Sequence, residues 1–117
     1  MKIKRIIPNI AAQDTTKAKA FYGDLLGLPV VMDMGWIVTF EADALMHPQL
    51  SIAADGGSDA AVPDLTVEVD DLQEALRRFQ QAGIAIEYGP ATEPWGVRRF
   101  YVRDPFGRLL NIMMHSQ

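Results

Sequence analysis

The chain has 117 residues, 49% of them apolar and 22% charged, a balance that points to one globular domain with a real core and excludes disorder. It contains no cysteine, which excludes disulfides, thiol catalysis and cysteine–zinc sites and fits a cytoplasmic protein. A net charge of −4 disfavours nucleic acid, and the sequence holds neither a membrane-length apolar run nor a signal-peptide pattern, so no membrane partner is expected.

In chain order, Lys2–Ala11 reads as a strand in which Ile6, Pro8 and Ile10 alternate with Ile7, Asn9 and Ala11. Ala18, Phe21, Tyr22, Leu25 and Leu26 then fall at helical spacing, with Asp14 ahead as a cap and Gly27 behind as a stop. Strands are expected over Pro29–Met34, Trp36–Ala42 and Gln49–Ala54, with Asp43–Pro48 as a loop. The small, polar stretch Asp55–Pro63 reads as a linker, its Gly56-Gly57 pair supplying flexibility.

The order then repeats. Asp64–Val69 reads as a strand whose Leu65, Val67 and Val69 face a helix and whose Asp64, Thr66 and Glu68 face the other way. Leu72, Ala75, Leu76 and Phe79 mark the second helix, between Asp71 and Gly83. Strands over Ile84–Tyr88, Gly96–Arg103 and Leu109–Met114 follow, the last two joined by the turn Asp104-Pro105-Phe106-Gly107. The caps Asp14 and Asp71 stand 57 positions apart, so the chain is an internal repeat of two β-α-β-β-β halves, an α+β protein. Module one covers residues 1–54, the linker 55–63 and module two 64–117.

Several residues along these strands could serve a site. Asn111 is the polar residue of an otherwise apolar closing strand and shares a face with Leu109 and Met113. Trp36 and Trp95, each beside a glycine, read either as stacking platforms at a cavity mouth or as core or interface aromatics. Phe40 is cavity wall or core. Arg99, with Tyr101, could hold a carboxylate or phosphate, or form an outward salt bridge. Asp64 and Glu68 lie about 13 Å apart along one strand, too far for a close acid dyad. Met113 adds adaptable apolar surface, and His47 and His115 read as exposed surface histidines.

The Asp14…Phe21-Tyr22…Leu25-Leu26-Gly27 pattern, Val69-Asp70-Asp71 and Asp104-Pro105-Phe106-Gly107 together resemble the vicinal oxygen chelate superfamily of glyoxalases, bleomycin-resistance proteins and extradiol dioxygenases. The resemblance implies paired βαβββ modules whose curved mixed sheets surround a cavity, and a homodimer. Metal-dependent members carry one ligand in each of four strands. Here those positions fall on Ile7, on the stretch Leu50–Ala54, on Asp64 and on Asn111, a set too poor in donors for a divalent cation. No metal or other cofactor is therefore expected, as in the metal-free bleomycin-resistance-like members. The resemblance thus implies a metal-independent small-molecule binder that sequesters a drug or metabolite. Trp36, Phe40, Trp95, Arg99, Tyr101 and Met113 would form its wall, with Asn9, Asp64, Thr66, Glu68 and Asn111 as polar contacts. The alternative is a superfamily lyase, isomerase or dioxygenase with an atypical metal site.

Overall fold

A computed structural model describes residues 1–116. The chain forms two compact units, Ile7–Val62 and a second made of Met1–Ile6 together with the residues from Pro63 onward. The first strand, β1 (Ile3–Ala11), contributes its first four residues to the second unit and the rest to the first.

In the first unit, β2 (Val30–Asp33), β3 (Ile37–Glu41) and β4 (Gln49–Ala53) run antiparallel, and β4 pairs in parallel with β1 through Asn9↔Ser51 and Ile10↔Ile52. Alternation along β3 buries Val38 and Phe40, with Ala18 and Ile52 completing the core and Tyr22 and Leu28 packed on it. The helix α1 opens with an α-helical turn, Thr16–Ala18, and continues as a π-helix over Lys19–Leu25. Asp14 starts it by accepting the Thr16 amide hydrogen at 2.9 Å. The Leu26 amide reaches back five residues to the Phe21 carbonyl, which widens the turn beyond the 3.6-residue period. The apolar stripe expected from that period is therefore split: Ala18 is buried while Phe21, Leu25 and Leu26 are exposed.

Residues 55–63, expected as a flexible linker, contain a hydrogen-bonded turn. Gly56 and Gly57 are buried, the Gly56 amide bonds the Ala60 carbonyl at 2.9 Å, and the Asp55 carboxylate takes the Gly57 amide at 2.6 Å. Small residues here serve a tight turn, since Gly57 sits at φ 85°.

In the second unit, β5 (Leu65–Val69) pairs in parallel with β8 (Leu109–His115), which lies antiparallel to β7 (Val97–Arg103), itself antiparallel to β6 (Tyr88–Glu93). One face carries Val69, Phe100, Val102 and Ile112 beneath α2 (Leu72–Gln81), whose Leu72 and Ala75 are buried against them. Asp71 caps α2, its carboxylate accepting the Glu74 amide at 3.1 Å. The strand expected over Ile84–Tyr88 instead begins at Tyr88 and runs to Glu93. Ile84 and Ile86 spend their alternation on packing against the core, so their apolar pattern reports burial and not strand pairing. At Gly89, with φ +79°, a Cβ would lie 2.6 Å from the Arg99 carbonyl oxygen, so this bulged edge strand tolerates only glycine there. The Asp104–Gly107 turn forms as expected, with Asp104 Oδ1 accepting the amides of Phe106 and Arg108 at 2.8 and 2.9 Å. Among the described residues no helix is long and apolar enough to cross a membrane.

Candidate functional site

The strand registers assemble a polar face in the second unit, opposite the one α2 covers. Thr66, Asn111, Tyr101 and Tyr88 form one row across β5, β8, β7 and β6. Glu68, Met113 and Arg99 form the next, and His115 with Val97 and Glu93 a third. Rows on one face are two residues, about 7 Å, apart. Six of the residues singled out from sequence (Thr66, Glu68, Arg99, Tyr101, Asn111 and Met113) thus share one surface.

Arg99 is the centre of this face. Its guanidinium is buried, pairs with Glu93 at 2.6 Å and donates to the Tyr101 hydroxyl oxygen at 3.1 Å. The rings of Tyr88, Trp95 and Tyr101 lie 5.0–5.2 Å from its central carbon, a cation–π cage. Tyr88 also donates its hydroxyl to Glu93 at 2.9 Å. The salt bridge expected to point outward is thus a buried one, and the carboxylate paired with Arg99 is the chain's own Glu93. Burial pushes the Tyr101 phenol above its ordinary value, in spite of the neighbouring Arg99 charge.

Asn111 is buried and donates through Nδ2 to the Thr66 hydroxyl at 3.3 Å, while its Oδ1 has no partner among the described residues. Turning the carboxamide over would leave Nδ2 in the same unpaired position, so one pole is unsatisfied in either orientation. A buried polar atom left unpaired costs about 1–3 kcal/mol. Such a cost is commonly recovered by a ligand or an ordered water.

Glu68, also buried, is gripped from three sides by Arg5 Nε, by His115 Nδ1 at 2.7 Å and by Lys4 at 3.8 Å. Burial raises its carboxyl pKa, but the hydrogen bonds from His115 and Arg5 outweigh that and hold it below the ordinary value of 4.5. A carboxylate with a lowered folded pKa adds stability that is complete above its unfolded value and disappears as pH falls through the folded one. Wild type should therefore lose stability below pH 4.5 more steeply than Glu68→Gln in denaturant melts at stepped pH. Superimposable acid limbs would remove Glu68 from the account.

The remaining sequence candidates are placed differently. Asp64 accepts the Leu109 amide at 2.8 Å, so its carboxylate secures the start of β8. Phe40 is fully buried beneath α1, which makes it core and not cavity wall. Trp36 lies in the β2–β3 turn, where its carbonyl accepts the Ala54 amide at 2.8 Å. Asn9 belongs to a second polar face, in the first unit, beside Ser51 and Thr39, whose hydroxyls bond each other at 2.7 Å.

Sequence reasoning missed Thr39, Ser51, Tyr88, Glu93 and His115. Alternation carried the signal for three of them: Thr39 between Val38 and Phe40, Ser51 between Leu50 and Ile52, and His115 two residues beyond Met113. Tyr88 and Glu93 were hidden by the misplaced sixth strand.

At the family's metal positions Ile7 offers no donor atom, Asp64 is spent on backbone and Asn111 is a neutral amide. Among the described residues no three His, Cys, Asp or Glu side chains gather as a metal site would require. The residues present do not fit the divalent cation.

With the fold and this face in place, the comparisons define the class. Residues 2–112 match the Glyoxalase/Bleomycin resistance protein/Dioxygenase superfamily, and the chain belongs to it. Its α+β architecture of repeated βαβββ modules is that of the superfamily. The chain is 28% identical to a bleomycin resistance protein of Klebsiella pneumoniae over 121 aligned positions, covering 93% of this chain and 90% of that protein. Among solved structures, the NAD-dependent benzaldehyde dehydrogenase of Legionella pneumophila superposes with a TM-score of 0.79 at 19% identity, covering 96% of this chain and all of that one. A methylmalonyl-CoA epimerase of Streptomyces coelicolor, bound to 2-nitronate-propionyl-CoA, superposes with a TM-score of 0.75 at 16% identity, covering 99% of this chain and 100% of the other. At those identities the two structures speak for the fold alone.

Proposed function

We propose that this chain is a metal-independent small-molecule binding protein that sequesters a drug or metabolite. It would act in the cytoplasm as a homodimer. The observation that carries the reading is the buried carboxamide pole of Asn111, unpaired among the described residues, on a face that also carries hydrogen-bonded polar groups and aromatic rings. A ligand hydrogen-bonding group would satisfy that pole, and the rings beside it favour a planar or amphipathic body. The donor-poor family metal positions and the similarity to a bleomycin resistance protein support binding over metal chemistry.

The test is a titration with bleomycin and a panel of aromatic amphipathic compounds, followed by tryptophan fluorescence, since Trp95 packs on Arg99 beside the face. A true ligand should quench fluorescence, raise the melting temperature, and bind about tenfold more weakly to Asn111→Leu, one hydrogen bond in a buried setting being worth about 1–1.5 kcal/mol. A panel with neither quenching nor stabilisation would sink the proposal. The competing reading is a superfamily enzyme with an atypical metal site. Stoichiometric Zn, Fe, Ni or Mn in protein purified without chelator would install it instead.

A further inference from the structure

Glu68 and His115 form a carboxylate–imidazole couple that the binding role does not use. The carboxylate is buried, with its side chain 8% exposed, whereas the imidazole is 52% exposed. They meet at 2.7 Å through Nδ1. A carboxylate accepts and cannot donate, so at this separation Nδ1 must carry the hydrogen. In the neutral ring the lone pair is then on Nε2, the nitrogen turned away from Glu68. Arg5 and Lys4 on the same carboxylate keep it ionised, which fixes the tautomer. His115 stands on β8 two residues beyond Met113 and four beyond Asn111, on the same face.

We propose that His115 is a general base for a ligand bound on this face, with Glu68 as the residue that orients it. The inference rests on the binding reading above and adds chemistry to it. The ligand class is a compound bearing an ionisable C–H, N–H or O–H. Nε2 takes that proton, the bonding electron pair stays on the ligand, and the positive charge gained by the ring is balanced by Glu68. The proton returns as the ligand leaves or rearranges, so no oxidant, reductant or metal is needed. A carboxylate holding one ring nitrogen while the other faces the substrate is an arrangement in which imidazole serves as a base.

Two measurements test this. Nitrogen-15 NMR of the neutral imidazoles should show His115 as the Nδ1–H tautomer in the wild type. In Glu68→Gln that preference should be lost, while His47 stays unchanged. A wild-type His115 in the Nε2–H form overturns the proposal whether or not any ligand binds.

The second measurement uses 5-nitrobenzisoxazole, a planar carbon acid. Loss of its C3 proton to a base forms a nitrile, breaks the ring N–O bond and releases a coloured phenolate. Wild type should turn it over about a hundredfold faster than free imidazole at equal concentration. His115→Ala should lose at least nine-tenths of that rate, Glu68→Gln about tenfold with an altered pH profile, and His47→Ala nothing. Tryptophan quenching by the probe without turnover removes the base and leaves the binding reading standing. Failure of the probe and of the whole compound panel to bind removes both. A His115→Ala variant as fast as wild type also overturns the assignment.

Discussion

Arg99→Ala is expected to cost about 3–5 kcal/mol of folding stability, because it leaves the Glu93 carboxylate buried without its partner. The two side chains are 4% and 5% exposed, so solvent screens neither. Glu93→Ala should cost a similar amount, since it removes the carboxylate that pairs with the guanidinium among the three rings. For a domain of this size that is a fall in melting temperature on the order of 10–20 °C. Arg99→Met combined with Glu93→Leu should regain most of the loss, since a buried pair is strongly penalised when halved and only weakly when removed whole. Urea melts of the three variants check the sign and the non-additivity. A single variant losing under about 1 kcal/mol would show that water reaches the pair.

Phe100→Ala should be comparably damaging, at about 3–5 kcal/mol, for a different reason. Phe100 is wholly buried between the sheet and α2, with Phe79 edge-on at 5.8 Å. Truncation opens a cavity that the flanking Val69, Val102 and Ile112 cannot fill without leaving their strands. Phe100→Leu should cost under half as much, as most of the volume is kept. Differential scanning calorimetry of both variants would check it, and equal losses would point to a specific aromatic contact in place of volume.

The repeat and most strand positions could be read from the sequence because period and capping residues were intact in both halves. Asp71 and its helix are the clearest case: the cap, the buried Leu72 and Ala75, and the strand residues beneath them all followed from spacing. The first helix carried an equally regular stripe and still misled. Nothing in the side chains announces that its backbone will wind with five-residue hydrogen bonds, so the spacing of Leu25 and Leu26 does not translate into burial. Ile84 and Ile86 misled in the opposite way, alternating like a strand while packing as a connection.

Faces were readable and partners were not. Alternation placed Thr66, Glu68, Asn111 and Met113 on one surface, yet it could not say that Arg99 would be neutralised by Glu93 and caged by rings. Such pairings depend on which residues register brings opposite one another. A one-residue slip in β6 would have separated Glu93 from Arg99 altogether. His115 is exposed, as its place near the chain terminus led one to expect. Its bond to Glu68 depends on β8 extending to residue 115.

The two polar faces differ in kind. In the first unit Asn9, Thr39 and Ser51 present only groups that neither gain nor lose a proton between pH 3 and 11. In the second, Glu68, Glu93, Arg99, Tyr101 and His115 are all ionisable. Acid bears on Glu68 and its partners, whereas Asn9, Thr39 and Ser51 keep the same hydrogen-bonding groups over that whole range, with the Glu41 carboxylate as the titratable neighbour on their face.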